Sequence, residues 1–235
     1  MRILAIIPAR GGSKGVPRKN IKLLNGKPLM EYTIASALRS WSIDDVFFSS
    51  DDQEMVELAR DLGLTVPELR PAHLSGDGAG TLQVLQHVVN VLKEEGKEYD
   101  AVCLLQVTYP FRKDSDIDDA LKKFENGRYD SLVSVKQVPH EFNPHWVFEA
   151  SEDLLQISTG EREIIKRRQD LPPAYIRDGS IYITSAKTLM EGNSLYGDRI
   201  GFIESDPDRY VNIDTKSDWE QAEELAIKFF GSCVE

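Results

Sequence analysis

The stretch Ile3-Leu4-Ala5-Ile6-Ile7-Pro8-Ala9-Arg10-Gly11-Gly12-Ser13-Lys14-Gly15-Val16-Pro17-Arg18-Lys19-Asn20 decides how this chain is read. Its first five residues are apolar, and glycines follow within a few positions. That order reads as a buried strand running into a loop. Glycines let the backbone approach a ligand, and successive N–H groups can converge on an anion. Residues 1–30 hold seven of the chain's 28 basic residues and none of its 39 acidic ones. On a protein of net charge −11, this is a local electrostatic target for a phosphate-bearing small molecule. From glycines and charge alone, the stretch fits either such a cradle or a solvated surface loop. Neither standard phosphate motif fits. Five residues after Gly11 and Gly12 stand Val16 and Pro17, where a P-loop needs Gly, and the glycines are spaced Gly-Gly-x-x-Gly rather than Gly-x-Gly-x-x-Gly.

Outward from this stretch, apolar periodicity predicts a helix over 28–39, a strand over 46–50, a helix over 53–61 capped from Asp51-Asp52 and stopped at Gly63, and a short strand at 64–66. A loop over 68–80 leads to a helix from Thr81. Ala101-Val102-Cys103-Leu104-Leu105 is too apolar for anything but a sheet interior. A helix over 114–125 and a strand over 131–135 follow. This alternation defines an α/β fold, a doubly wound and mostly parallel sheet covered by helices, in one domain over 1–235. The rhythm changes at 136–178, which is rich in proline, histidine and charge and too long for an ordinary connection. Strands are expected again at 179–184, 199–204 and 209–214, before a terminal helix from Thr215.

Hydrophobic content of 41% and charged content of 29% suit a soluble globular protein. The acidic balance argues against a nucleic-acid partner, and no apolar run approaches a membrane span. Ile3–Ile7 reads as a core strand rather than the apolar part of an export signal, so a cytoplasmic setting is expected. The two cysteines, Cys103 in an apolar run and Cys233 in the tail, fit a reducing compartment.

In an open parallel sheet, ligands bind beyond the carboxyl ends of the strands. The loops there are 8–20, 50–52, 106–112 and 214–215. Arg10, Lys14, Arg18, Lys19 and Asn20 with the glycines suit a triphosphate. Gln106 and Thr108 at a strand end suit a base or a sugar. Asn212 and Asp214, two apart on an expected strand, share a face and can offer oxygens to a hard cation; Asp214 can equally cap the following helix. His140 and His145 do not form His-Glu-x-x-His, His73 and His87 have no partners at metal spacing, and no nucleophile elbow is present.

The 7–20 stretch also resembles the N-terminal signature of the acylneuraminate cytidylyltransferases, the CMP-sialic acid synthetases and their bacterial relatives for legionaminic and pseudaminic acids. Four later blocks match in the family's order: Leu69-Arg70-Pro71-Ala72, Leu104 to Arg112, Arg168 to Tyr175, and Ile213-Asp214-Thr215. The resemblance implies a nucleotide-diphospho-sugar transferase-like fold, usually homodimeric, with 136–178 as a dimerisation excursion reaching the partner's site. By motif position it implies CTP held by Arg10, Gly11, Gly12, Ser13, Lys14, Lys19, Asn20, Arg70, Thr81 and Gln106. The sugar acid would meet Gln106, Thr108, Arg168, Arg177 and Asp178. Mg²⁺, with Mn²⁺ as a substitute, would be held by Asp214 and Asn212. Arg10, Lys14, Lys19 and Asp214 would carry the catalysis: CMP passes from CTP to the anomeric hydroxyl of a nine-carbon sugar acid, and pyrophosphate leaves.

Three departures stand out. Asn212-Ile213-Asp214 replaces Asp-Ile-Asp, Ile176-Arg177-Asp178-Gly179 replaces Arg-x-Asn-Gly, and Val107 and Tyr109 flank Thr108 in place of Pro and Ser. The last two bear on which sugar is used. Alternatives are the same fold acting on a 3-deoxy-octulosonate-type acid or another nucleotide, or a catalytically silent nucleotide-binding homologue, which Asn212 keeps open.

Overall fold

The computed structural model describes residues 1–12, 15–76 and 78–233. The strand that opens the chain, β1 (Ile3–Pro8), lies inside a six-stranded sheet. After a small hairpin, β2 (Leu23–Leu24) and β3 (Lys27–Pro28), come α1 (Leu29–Arg39), β4 (Asp45–Ser49) and α2 (Gln53–Asp61). Then follow α3 (Thr81–Glu94), β5 (Ala101–Leu105), α4 (Asp116–Gly127) and β6 (Ser131–Gln137). A two-stranded excursion, β7 (Phe148–Ser151) and β8 (Leu154–Ile157), precedes β9 (Tyr175–Ser185), α5 (Ala186–Met190), β10 (Ile200–Glu204) and α6 (Lys216–Phe230).

The sheet order is β10-β6-β9-β5-β1-β4. β1 runs parallel to both β4 and β5, and β10 runs parallel to β6. From β1 the chain crosses to β4 on one side and returns to β5 on the other, so the direction of winding switches at β1. Side chains of β1 alternate between faces. Ile3, Ala5 and Ile7 pack with Leu29, Met55 and Trp219, while Leu4 and Ile6 pack with Leu85, Val88 and Leu92 of α3. Burial on both faces explains the unbroken apolar run. Each fully buried aliphatic side chain contributes about 1.5–3 kcal/mol.

β9 is antiparallel to both β5 and β6. Its first half therefore reaches the edge where the parallel strands end. There the β6–β9 register breaks: Val133 faces Tyr182 and Val135 faces Arg177, so Ser134 alone spans residues 178–181. Gly179, at φ +90°, turns this bulge.

Two expected strands are absent. Residues 64–66 are extended but unpaired in any ladder; Arg60 caps them by donating to the Val66 carbonyl at 2.8 Å. Residues 209–214 also lie outside the sheet, with Pro207–Arg209 in a short 3₁₀ turn and Val211 and Ile213 buried. Asp214 does not cap α6. Thr215 does: its Oγ1 accepts the Asp218 N–H, and the Asp218 carboxylate accepts the N–H groups of Asp214 and Thr215. Asp52 caps α2 as expected, accepting from the Met55 N–H. Among the described residues no helix is long and apolar enough to cross a membrane.

Candidate active site

At the carboxyl ends of β1 and β5 the surface opens into a cleft of about 540 Å³. One wall is the glycine-rich loop. Arg10, Gly15, Lys19 and Asn20 line it. The loop is held from behind. Gly11 donates its N–H to Asp51 Oδ1 at 3.0 Å, Asn20 Nδ2 donates to the Arg10 carbonyl at 3.0 Å, and Arg18 pairs with Asp52 and Glu54. A side chain at Gly15 would overlap the Asp214 carbonyl oxygen. Gly15 is thus the position at which the loop closes onto the 212–215 segment. Gly12 borders open space. Ser13 and Lys14, both expected to bind nucleotide, lie outside the described residues.

Lys19 joins the two sides of the cleft: its Nζ donates to the Ile213 carbonyl at 2.6 Å and to Asp214 Oδ1 at 2.8 Å. The other Asp214 oxygen accepts from Asn212 Nδ2 at 2.8 Å. Asn212 therefore turns its nitrogen to the carboxylate, while its Oδ1 is buried with no hydrogen-bond partner among the described residues. Asp214 itself is exposed, so its carboxylate is accessible to a cation that brings its own oxygen donors. One carboxylate completed by phosphate oxygens and water is a donor set that suits Mg²⁺.

The second wall comes from the 70–81 segment. Arg70 Nη2 donates to the carbonyls of Ala9 and Ser49, pinning together the ends of β1 and β4, and its buried Nε has no partner among the described residues. Burial lowers the Arg70 pKa, an effect opposed by Asp51. Gly76 and Ala79 lead to Thr81, the first residue of α3, which lines the cleft. The first turn of a helix favours anions.

The floor is the loop after β5, with Gln106 and Thr108 facing the cleft. The Thr108 carbonyl accepts the Ile213 N–H at 3.0 Å, tying this loop to the Asn212–Asp214 segment. Gln106 Oε1 lies only 2.9 Å from where a Gly179 side chain would begin, with Asn212 Oδ1 3.8 Å from the same point. Gly179 therefore lets three segments meet.

Not every expected residue reaches the cleft. Asp178 is 3% exposed and lies beneath it. Its Oδ1 accepts from Ser134 Oγ at 2.5 Å and from the Ser180 N–H at 2.8 Å, and its Oδ2 has no partner among the described residues. Arg177 is exposed and donates to the Tyr182 hydroxyl at 3.5 Å. Arg168 sits exposed in a 3₁₀ turn of the excursion. Two residues that organise the site escaped the sequence reading: Asp51, through Gly11, and Arg112, which is buried behind the floor. The acidic pair after β4 was readable as a helix cap within a loop at the ligand edge, but not as the acceptor for Gly11. Arg112 gave no signal beyond its place in a strand-end motif.

Comparison with known proteins places the chain in a family. Residues 4–231 match the family described as Cytidylyltransferase. The chain is 34% identical over 225 residues to the pseudaminic acid cytidylyltransferase of Campylobacter jejuni, with 96% of each chain covered. It is 34% identical over 233 residues to the CMP-N,N'-diacetyllegionaminic acid synthase of Legionella pneumophila, again with 96% of each covered. The N-acylneuraminate cytidylyltransferase of Streptococcus agalactiae is 32% identical over 221 residues, and the match spans 93% of this chain but 52% of that protein. In fold, the chain is similar to a CMP:2-keto-3-deoxy-manno-octonic acid synthetase solved with CTP, at a TM-score of 0.72, 16% identity, and coverage of 97% and 99% of the two chains. The fold is that of the nucleotidyltransferases. The chain belongs to the cytidylyltransferase family.

Proposed function

We propose that this protein transfers CMP from CTP to the anomeric hydroxyl of a nonulosonic acid of the sialic, legionaminic or pseudaminic type, releasing pyrophosphate. The observation that carries the reading is the single cleft in which Arg10, Lys19 and Arg70 face Gln106 and Thr108, with Asp214 at the junction. The names of the relatives from Campylobacter and Legionella supply the substrate class.

In this reading the triphosphate lies along the glycine-rich loop. Arg10, Lys14 and Lys19 offset the charge that builds on the phosphate oxygens as the sugar hydroxyl attacks the α-phosphate in line. Asn20 and Asp51 keep the loop backbone in place for that contact. Gln106 and Thr108 orient the base and sugar, so that catalysis is largely positioning. One Mg²⁺, or Mn²⁺ in its place, would be held by Asp214 with phosphate oxygens, and the chemistry such an ion supplies is charge neutralisation and a more acidic attacking hydroxyl. Asn212 orients the Asp214 carboxylate, and its oxygen joins the donor set only with the amide reversed. Lys19, which neutralises Asp214 here, is placed to exchange that partner for a phosphate.

The reading includes a homodimer. The 136–178 excursion carries exposed apolar side chains, with Leu154 76% and Leu155 67% exposed. A patch of this kind marks an interaction site, and Arg168 lies on the same excursion. Sedimentation of the wild type and of a Leu154→Glu, Leu155→Glu variant tests this; a monomeric wild type refutes it. The activity is tested by pyrophosphate release with CTP, Mg²⁺ and a panel of nonulosonic and octulosonic acids. Turnover with a nonulosonic acid is expected. Turnover with the octulosonic acid alone reassigns the substrate, and CTP binding without turnover on any acid makes the chain a silent homologue.

A further inference from the structure

Arg112 is 4% exposed, and among the described residues no carboxylate contacts it. A buried cation without an ion-pair partner is costly unless every donor is satisfied. Here every donor is. Nε and Nη2 both donate to the Ser180 carbonyl, at 3.2 and 2.7 Å. Nη2 also donates to the Gln106 carbonyl at 2.7 Å. Nη1 donates to the Tyr109 carbonyl at 2.6 Å and to Thr33 Oγ1 at 3.1 Å. The five N–H groups of a guanidinium are thus matched by five bonds to neutral oxygens, a fork that an ammonium cannot reproduce. Burial lowers its pKa to about 10, which leaves it charged at neutral pH.

The carbonyls it holds are informative. Gln106 and Tyr109 bracket the floor of the cleft. Ser180 belongs to the β9 bulge, and the N–H of the same residue is held by Asp178, which in turn is held by Ser134 on β6. Arg112 therefore fastens the floor loop to the bulge, at the place where Gly179 admits the Gln106 side chain. The guanidinium itself does not line the cleft. Arg112 also lines a separate cavity of about 560 Å³, walled by Tyr32 and Lys113 as well.

We propose that Arg112 is the positioning residue of the sugar end of the cleft: by binding the 106–109 loop and the β9 bulge as one unit, it fixes where Gln106 and Thr108 meet substrate. This rests on the cytidylyltransferase reading. Arg112→Lys keeps the charge but has three donors on one nitrogen, so it cannot make the five bonds of the planar fork. A misplacement of about 1 Å costs about 100-fold in rate, so kcat/KM for the sugar acid is expected to fall about 100-fold in this variant. CTP affinity, measured by calorimetry, is expected to fall less, by no more than about 10-fold, because Gln106 alone of the expected nucleotide contacts rests on Arg112 and the glycine-rich loop is untouched. In Arg112→Ala, guanidinium ion in the tens of millimolar, entering through that separate cavity, restores activity, and sodium chloride at equal strength does not.

Wild-type turnover on the acid panel separates the two ideas. If no acid turns over, the functional reading fails, and Arg112 is then judged by amide hydrogen exchange: faster exchange at 106–109 and 178–181 in Arg112→Lys, with 9–12 and 15–20 unchanged, supports the proposal. A kcat/KM within three-fold of wild type, loss of CTP binding in equal proportion, or unchanged exchange in the floor loop overturns it. Failure of both variants to fold makes Arg112 a folding residue and also overturns it.

Discussion

At the glycine-loop end of the cleft the chain is held by charged pairs that reach solvent, Lys19 with Asp214 and Arg18 with Asp52 and Glu54; at the β9 end it is held by buried hydrogen bonds from Arg112, Ser134 and Ser180. Exposed pairs contribute about 0–1 kcal/mol each and weaken with salt. They can therefore exchange partners when phosphates arrive. Leaving one buried polar group unsatisfied costs about 1–3 kcal/mol, so the β9 end does not rearrange cheaply. One end is adjustable and reads charge; the other is set beforehand and reads shape.

The largest expected effect belongs to the adjustable end. Lys14→Ala should lower kcat/KM by at least about 1,000-fold while circular dichroism and melting stay as in wild type, and near-normal pyrophosphate release would remove Lys14 from the reaction. Gly15→Ala comes next. Its methyl group would displace the loop from the Asp214 carbonyl, with a loss of about 100-fold in rate and a lowered melting temperature, because the overlap is with backbone. A wild-type rate there would mean that the loop is not closed on residue 214 when chemistry occurs.

The fixed end should respond in stability. Asp178→Asn puts an unpartnered donor where the buried Oδ2 lies and removes a negative charge that favours the buried guanidinium. Urea unfolding at neutral pH should show a loss of about 1–3 kcal/mol, with CTP affinity unchanged; an unchanged midpoint would mean that this end is no more rigid than the other.

The smallest effect is at Asp218. Its burial opposes ionisation, but the N–H groups of Asp214 and Thr215 and the Thr215 side chain hold its pKa below the usual aspartate value. A carboxyl depressed on folding stabilises above its unfolded pKa and loses that contribution as pH falls through the folded one. Asp218→Asn should therefore lower stability by about 0.5–1 kcal/mol at pH 7, the scale of a capping contact. The difference should vanish near pH 2 in thermal melts, and a gap that persists in acid would show that charge is not the cause.

Much of this fold was legible because the helices and the buried strands carry clear periods. The two absent strands share a cause. Alternation at 209–214 reported side chains correctly, since Val211 and Ile213 are buried, but it could not report whether a neighbouring strand was there to pair with. Ile213 instead makes a single backbone bond to Thr108. Residues 64–66 lie beyond β4, the edge of the sheet, where Arg60 takes the Val66 carbonyl. In the cleft, the glycines and cations of 8–20 and the Gln-x-Thr loop were readable as chemistry. The supports were not. Arg112 binds Ser180, 68 positions away, through a carbonyl that every residue possesses, so no side-chain pattern announces the contact.

The cap of α6 has a consequence for how this site can change over generations. Because Thr215 and Asp218 satisfy the helix start, α6 does not depend on the side chain of residue 214. Inheritance at 212 and 214 is thereby uncoupled from the integrity of the terminal helix. A lineage can alter residues 212 and 214 and still keep a folded protein on which selection for a new substrate can act.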